Sequence, residues 1–228
     1  MIKKSTRLFA FSLFFVALTL SACKKTAMPD FTVSYLRVIN TAPNLATYNV
    51  YANTLKVNAA PLPFGGTTTY QQFKPGTQDF KFTSAGDIQS LLDKKIELEN
   101  AEVYSLYLIG QEAQLDAFWI KDIMPDPKSD KAFIKFVNIS PDAPIMSLSL
   151  KDGDQLIGNK AYKEASEFIA IEPKTYSFEF KSAIDGTVET SLNDVELVAG
   201  RYYTLITRGL RQPGVNEQPL SAQSILNN

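Results

Sequence analysis

Histidine is absent from all 228 residues, and cysteine and tryptophan occur once each, as Cys23 and Trp119. Without an imidazole, a Ser-His-Asp triad and a Cys-His pair cannot be assembled, and with one thiol the ordinary zinc sites are excluded as well. Long runs of one charge are also missing. Basic and acidic side chains nearly balance at 23 and 24. Removing Lys3, Lys4 and Arg7 with the leader described below leaves 20 against 24, a mildly acidic chain without the basic stripe that neutralises phosphates, so nucleic acid is not an expected partner. Past the leader there is no helical periodicity. What is abundant is apolar and aromatic: 45% of the chain is hydrophobic, with 15 Phe and 10 Tyr, residues that favour pleated, half-buried strands. Beta structure is the expectation.

The first 22 residues read as a secretory signal, with Lys3, Lys4 and Arg7, an apolar run Leu8 to Leu20, and small residues Ser21 and Ala22. That run covers roughly 20 Å as a helix, short of a hydrocarbon core of about 30 Å. Cys23 follows at once. The tetrapeptide Leu20-Ser21-Ala22-Cys23 resembles the lipobox of bacterial lipoproteins. The resemblance implies cleavage before Cys23, a diacylated thiol and an acylated amino group, with about 0.8 kcal/mol of membrane affinity for each buried methylene. The competing reading is a buried cysteine in an ordinary exported protein, where a lone thiol is a liability. Residues 23–32 then form a lipidated tether. Lys24 after the cysteine resembles lipoproteins sent on to the outer membrane, whose periplasmic or surface face stays open.

The remainder says its fold twice. Tyr35 to Pro43, YLRVINTAP, returns within Ala132 to Pro144, AFIKFVNISPDAP. Asn40 and Asn138, Pro43 and Pro141, Tyr70 and Phe168, and Phe80 and Phe178 are all 98 positions apart. Near the end of each copy the offset becomes 99, matching Tyr104 with Tyr203 and Gly110 with Gly209.

Tyr35 to Asn40 and Ala132 to Ile139 are apolar on both alternating faces, so both faces are expected to be covered. Pro-Asn and Pro-Asp clusters end them. Thr67 to Phe73 and Glu167 to Ile171 read as strands leading into turns at Pro75-Gly76 and Pro173-Lys174. After those turns Phe80 and Phe82, then Tyr176, Phe178 and Phe180, alternate onto one face, which is core. Ile96 to Gly110 and Val195 to Gly209 follow, then Leu115 to Lys121 and Leu220 to Leu226. Short strands divided by turn residues predict an all-β protein of two tandem immunoglobulin-like, Greek-key β-sandwich domains, residues 33–123 and 131–228, with 124–130 as linker.

Arg37-Val38-Ile39-Asn40-Thr41-Ala42-Pro43 and Phe136-Val137-Asn138-Ile139-Ser140-Pro141-Asp142-Ala143-Pro144, each followed by an aromatic, a Pro turn and a strand ending in Gly, resemble the repeat of a domain of unknown function, DUF4397. The resemblance covers nearly everything from Tyr35 onward. It implies a bacterial envelope lipoprotein, often with the repeat in tandem, and supplies no activity. Ala42 and Asn44 stand where Ser and Asp are usual, and Lys174 replaces the turn glycine. A Ser-Pro-Asp cluster that one copy lacks points to structure, not chemistry.

Three candidate sites remain. Asp142, Asp152 and Asp154, or Asp122, Asp126 and Asp130, could gather oxygens around calcium, although neither set has an EF-hand's spacing and Asp is common in turns. Tyr48, Tyr51, Tyr107, Trp119, Tyr202 and Tyr203 could include an exposed platform for sugar rings, or could fill the interior. A carboxylate pair could hydrolyse glycosides without histidine, yet no two acids are spaced to suggest one. The expectation is a non-catalytic binding or structural protein with no cofactor and no metal, held to the membrane through acyl chains on Cys23. Its partner would be an envelope protein or a glycan, and Trp119, Asp142, Asp152 and Asp154 are its possible ligand contacts.

Overall fold

In the computed structural model residues 32–126, 128 and 130–227 are described. The signal, Cys23 and nearly all of the tether lie outside them.

The first module contains β1 (Ser34–Asn40), β2 (Tyr48–Ala52), β3 (Leu55–Lys56), β4 (Gln71–Phe73), β5 (Gly76–Ser84), β6 (Leu92–Leu98), β7 (Val103–Ile109) and β8 (Asp116–Lys121). The second contains β9 (Ala132–Asn138), β10 (Met146–Leu150), β11 (Gln155–Lys160), β12 (Glu164–Ala165), β13 (Ile169–Ile171), β14 (Thr175–Ser182), β15 (Val188–Glu196), β16 (Tyr202–Arg208) and β17 (Ser221–Asn227). One 3-10 turn at Glu112–Gln114 interrupts this order.

Each module is a sandwich of two sheets. In the first, the orders are β4-β1-β7-β8 and β3-β2-β5-β6; in the second, β12-β9-β16-β17, with β13 also on β9, and β11-β10-β14-β15. The first strand of each module runs parallel to the penultimate one: Leu36 is opposite Tyr104, and Ile134 opposite Tyr203. All other strand pairings are antiparallel. Apart from the exposed Tyr35, β1 and β9 are covered on both faces, which is why they carry apolar residues at consecutive positions.

Alternation sorts those residues into separate cores. Leu36 and Val38 of β1 join Phe80, Phe82 and Leu106 inside the first sandwich, and Ile134 and Phe136 of β9 join Phe178, Phe180 and Leu205 inside the second. The opposite faces meet in a third cluster, where Ile39, Tyr107 and Ile109 pack with Val137, Ile139, Ile206 and Ile225. The two interiors stay distinct while their β1 and β9 sheets lie back to back.

Repeated side-chain devices close each module. Asn40 Oδ1 accepts the Ala42 amide and its Nδ2 donates to Leu62; Asn138 does the same with Ser140 and Lys160, 98 residues on. The hydroxyls of Tyr104 and Tyr203 each accept an amide five residues upstream, at Glu99 and Val198. These buried polar groups satisfy backbone at corners where the ladder stops.

Several strand expectations need correction. Thr67 to Phe73 is regular only from Gln71, with a single bridge between Thr67 and Ile39, because Gly65 and Gly66 turn the chain beside β1. Glu167 to Ile171 is regular only from Ile169, and a separate short strand, β12, precedes it. Ile96 to Gly110 is two strands, separated at Glu99–Glu102 with Ala101 at φ 60°.

Candidate binding site

The surface joining the modules holds the most concentrated chemistry among the described residues. Arg37 on β1 and Lys135 on β9 are equivalent positions, and each projects from the face opposite its own core. Both are about 2% exposed, and Asp122, just beyond β8, is 3% exposed. Asp122 takes Lys135 on Oδ1, and on Oδ2 accepts the hydroxyls of Ser105 at 2.6 Å and Tyr70 at 2.9 Å. Arg37 donates through Nε to Ser105 Oγ at 3.0 Å and through Nη1 to the Leu226 carbonyl at 2.9 Å, across the seam. Asn227, in the place of Asp122 in the second module, receives Thr204 Oγ1 at 2.8 Å and donates to Tyr70 at 3.1 Å.

The arrangement has approximate twofold character. Arg37 lies over the Tyr70 ring at 4.8 Å, and Lys135 over the Phe168 ring at 4.9 Å, so each buried cation rests on the aromatic its own repeat supplies. Burial pushes the Lys135 ammonium down, against the opposing pull of Asp122. Burial, with the Asp122 charge adding to it, pushes the Tyr70 and Tyr107 phenols up. The cluster is two cations against one carboxylate.

Beside it runs a groove of about 360 Å³, walled by Thr67 to Tyr70 on one side and Gln223 to Leu226 on the other, with Arg37 between. A second depression, of about 490 Å³, lies on the outer sheet of the first module, where Tyr51, Asn53, Asp79, Lys81, Asp93 and Lys95 contribute to its lining.

The residues singled out from sequence are scattered. Trp119 is half-buried against the first core, under Lys94 at 5.8 Å. Asp142 accepts the amides of Arg211 at 2.8 Å and Gln212 at 2.9 Å, clamping two loops of the second module. Asp152, at φ 54°, and Asp154 form the exposed turn between β10 and β11. Asp122 is committed to the seam, while Asp126 and Asp130 are exposed. Among the described residues no three acidic groups are placed to hold a metal ion. Tyr48, Tyr107, Tyr202 and Tyr203 are buried, leaving Tyr51 as the ring that opens on a depression, with Lys81 Nζ 5.3 Å from its centroid.

Sequence reading missed the seam cluster. The signal was present: a single cation in the middle of each strand otherwise apolar on both faces, recurring at the repeat offset.

A family of proteins described as Domain of unknown function (DUF4397) matches residues 34–149, half of the chain. The chain belongs to the DUF4397 family. The DUF4397 match takes in the whole first module and runs on through β9 and into β10. No curated protein matches the sequence. Three of the solved structures to which the chain is similar illustrate the likeness. The Bacillus anthracis TIE protein is 14% identical over 78% of this chain, at a TM-score of 0.25, and the alignment spans only 34% of its own length. A streptococcal virulence factor described as binding alpha-glucan is 13% identical, covering 78% of this chain and 92% of its own, at 0.26. CBMbc, a family CBM26 module of Eubacterium rectale Amy13K in complex with maltoheptaose, is 10% identical, covering 85% and 95%, at 0.25. Scores at this level assign no ligand to this DUF4397 protein.

Proposed function

We propose that this DUF4397 protein is a lipid-anchored, non-catalytic binding or structural component of the bacterial envelope, with the second sandwich a second copy of the family's domain. The observation that carries the reading is the fate of the repeated motif. Asn40 and Asn138 bond backbone at strand ends, and Arg37 and Lys135 tie the modules together at the seam, so the motif's repeated polar residues support a structural reading. Leu20-Ser21-Ala22-Cys23 supports the anchor, and Lys24 supports the outer membrane as its address. Fractionation tests this. Wild type should stay with membranes until detergent is added, and Cys23→Ser should appear in the soluble fraction without acyl label; equal retention of the two would sink the anchor.

Glycan capture is the second reading, supported by Tyr51 in the lining of the outer depression. Retention of the delipidated protein on an insoluble polysaccharide, lost on Tyr51→Ala, would favour it over the purely structural reading.

A further inference from the structure

The groove at the seam is lined by a guanidinium with a donor the seam does not use. Arg37 uses Nε and Nη1, but its Nη2 is buried without a partner. On the facing wall Gln223 gives its Nε2 to the Gly65 carbonyl at 3.0 Å and leaves Oε1 buried and unpartnered. Arg208 adjoins the same end: a methyl on Gly65 would lie 2.7 Å from its Nη2, its guanidinium stacks 3.9 Å from the centre of the Phe64 ring, and its Nε and Nη1 are buried without partners. Its pKa is lowered by burial. Each of these atoms is without a partner in the protein, and buried polar atoms in folded proteins rarely stay unpaired.

Among the described residues no carboxylate lines the groove, and its other polar groups are mostly hydroxyls, Thr67, Thr68, Thr69, Tyr70 and Ser224. Of the seam's own charges, Asp122 is taken by Lys135. A guanidinium edge is a donor fork that suits a carboxylate or sulfate, and the neighbouring amide oxygen needs a hydroxyl to donate to it. We propose that this groove is a binding site for an acidic sugar: Arg37 and Arg208 draw the oxyanion, Gln223 Oε1 accepts a ring hydroxyl, and the threonines face the remainder. The site is distinct from the Tyr51 depression and does not depend on the anchor. The competing occupant is ordered water.

The test uses the soluble Cys23→Ser chain, with glucuronate, glucose and sodium sulfate titrated at constant ionic strength. Glucuronate should give a saturable rise in melting temperature and saturable binding by calorimetry, and glucose neither. Thr69→Glu places a carboxylate on an exposed rim position, and Arg208→Gln removes a cation outside the Asp122 network. Each should weaken glucuronate binding at least tenfold while leaving the melting temperature without ligand within a few degrees. Arg37 variants are not relied upon, since they disturb the seam. No saturable response to glucuronate, an equal response to glucose, a response to sulfate alone as an adventitious ion only, or unchanged affinity in both variants would overturn the proposal. So would a crystal structure grown with glucuronate that shows only water in the groove.

Discussion

Asp122 is the residue on which the seam's electrostatics turn, because one carboxylate answers Lys135, Ser105 and Tyr70. A buried pair is a modest source of net stability, since desolvating both ions offsets much of their attraction, but a single unpaired buried ion is strongly destabilising. Asp122→Asn keeps the shape and takes away the counterion of the buried Lys135. It should cost about 3–5 kcal/mol in urea unfolding, and adding Lys135→Met should recover most of that. A loss under about 1 kcal/mol for Asp122→Asn alone would show that the ion pair does not hold the seam. Tyr107 is fully enclosed nearby, and that burial pushes its phenol up.

At the scale of elements, β7 and β16 end in equivalent glycines whose backbone no side chain fits. Gly110 has φ 68° and a Cβ there would stand 2.1 Å from the Gln114 carbonyl oxygen; Gly209 has φ 84° and would meet the Pro219 oxygen at 2.2 Å. Gly186, at a hairpin tip with φ 75°, has nothing within 4 Å. Left-handed backbone alone costs about 1–3 kcal/mol for a non-glycine residue. Gly209→Ala should therefore lower the melting temperature well beyond Gly186→Ala, which bears the conformational cost and no collision. Equal losses would mean that the β16–β17 corner relaxes freely. Much of this element layout was legible in sequence. Consecutive apolar positions in β1 and β9 declared that both faces are covered, and Phe178 and Phe180 declared the inward face of β14. What periodicity could not reveal was the partner. β1 pairs with β7 about 68 residues away, in parallel, and its second face is covered by another module. Burial is written into the local pattern, but pairing across such separations is settled by register and shape. Thr67, Thr68 and Thr69 misread as strand for a related reason: β-branched residues fit an extended chain beside β1 whether or not a full ladder forms. The scatter of Trp119, Asp142, Asp152 and Asp154 has the same root, since residue type carries no information about which loops converge.

For the whole molecule, the question is whether two sandwiches with separate cores behave as one cooperative unit. The seam cluster contributes seven buried apolar side chains, each worth roughly 1.5–3 kcal/mol when removed from water. Loops reinforce it at one end, where Asn44 bridges Glu217 and the Gln218 amide donates to the Pro43 carbonyl at 3.2 Å. Splitting the chain at the linker would expose Ile39, Tyr107 and Ile109 on one half and Val137, Ile139, Ile206 and Ile225 on the other. It would also leave Asp122 and Lys135 on separate halves without their charge partner. The solvated charges relax, but the apolar faces do not. Calorimetry of the intact chain should therefore show one unfolding transition. Residues 32–126 and 131–228 produced separately should each melt lower and self-associate, and mixing them should restore a one-to-one complex. Two well-separated transitions in the intact chain, or two halves that stay monomeric at the parent's melting temperature, would mean that the back-to-back sheets touch without coupling.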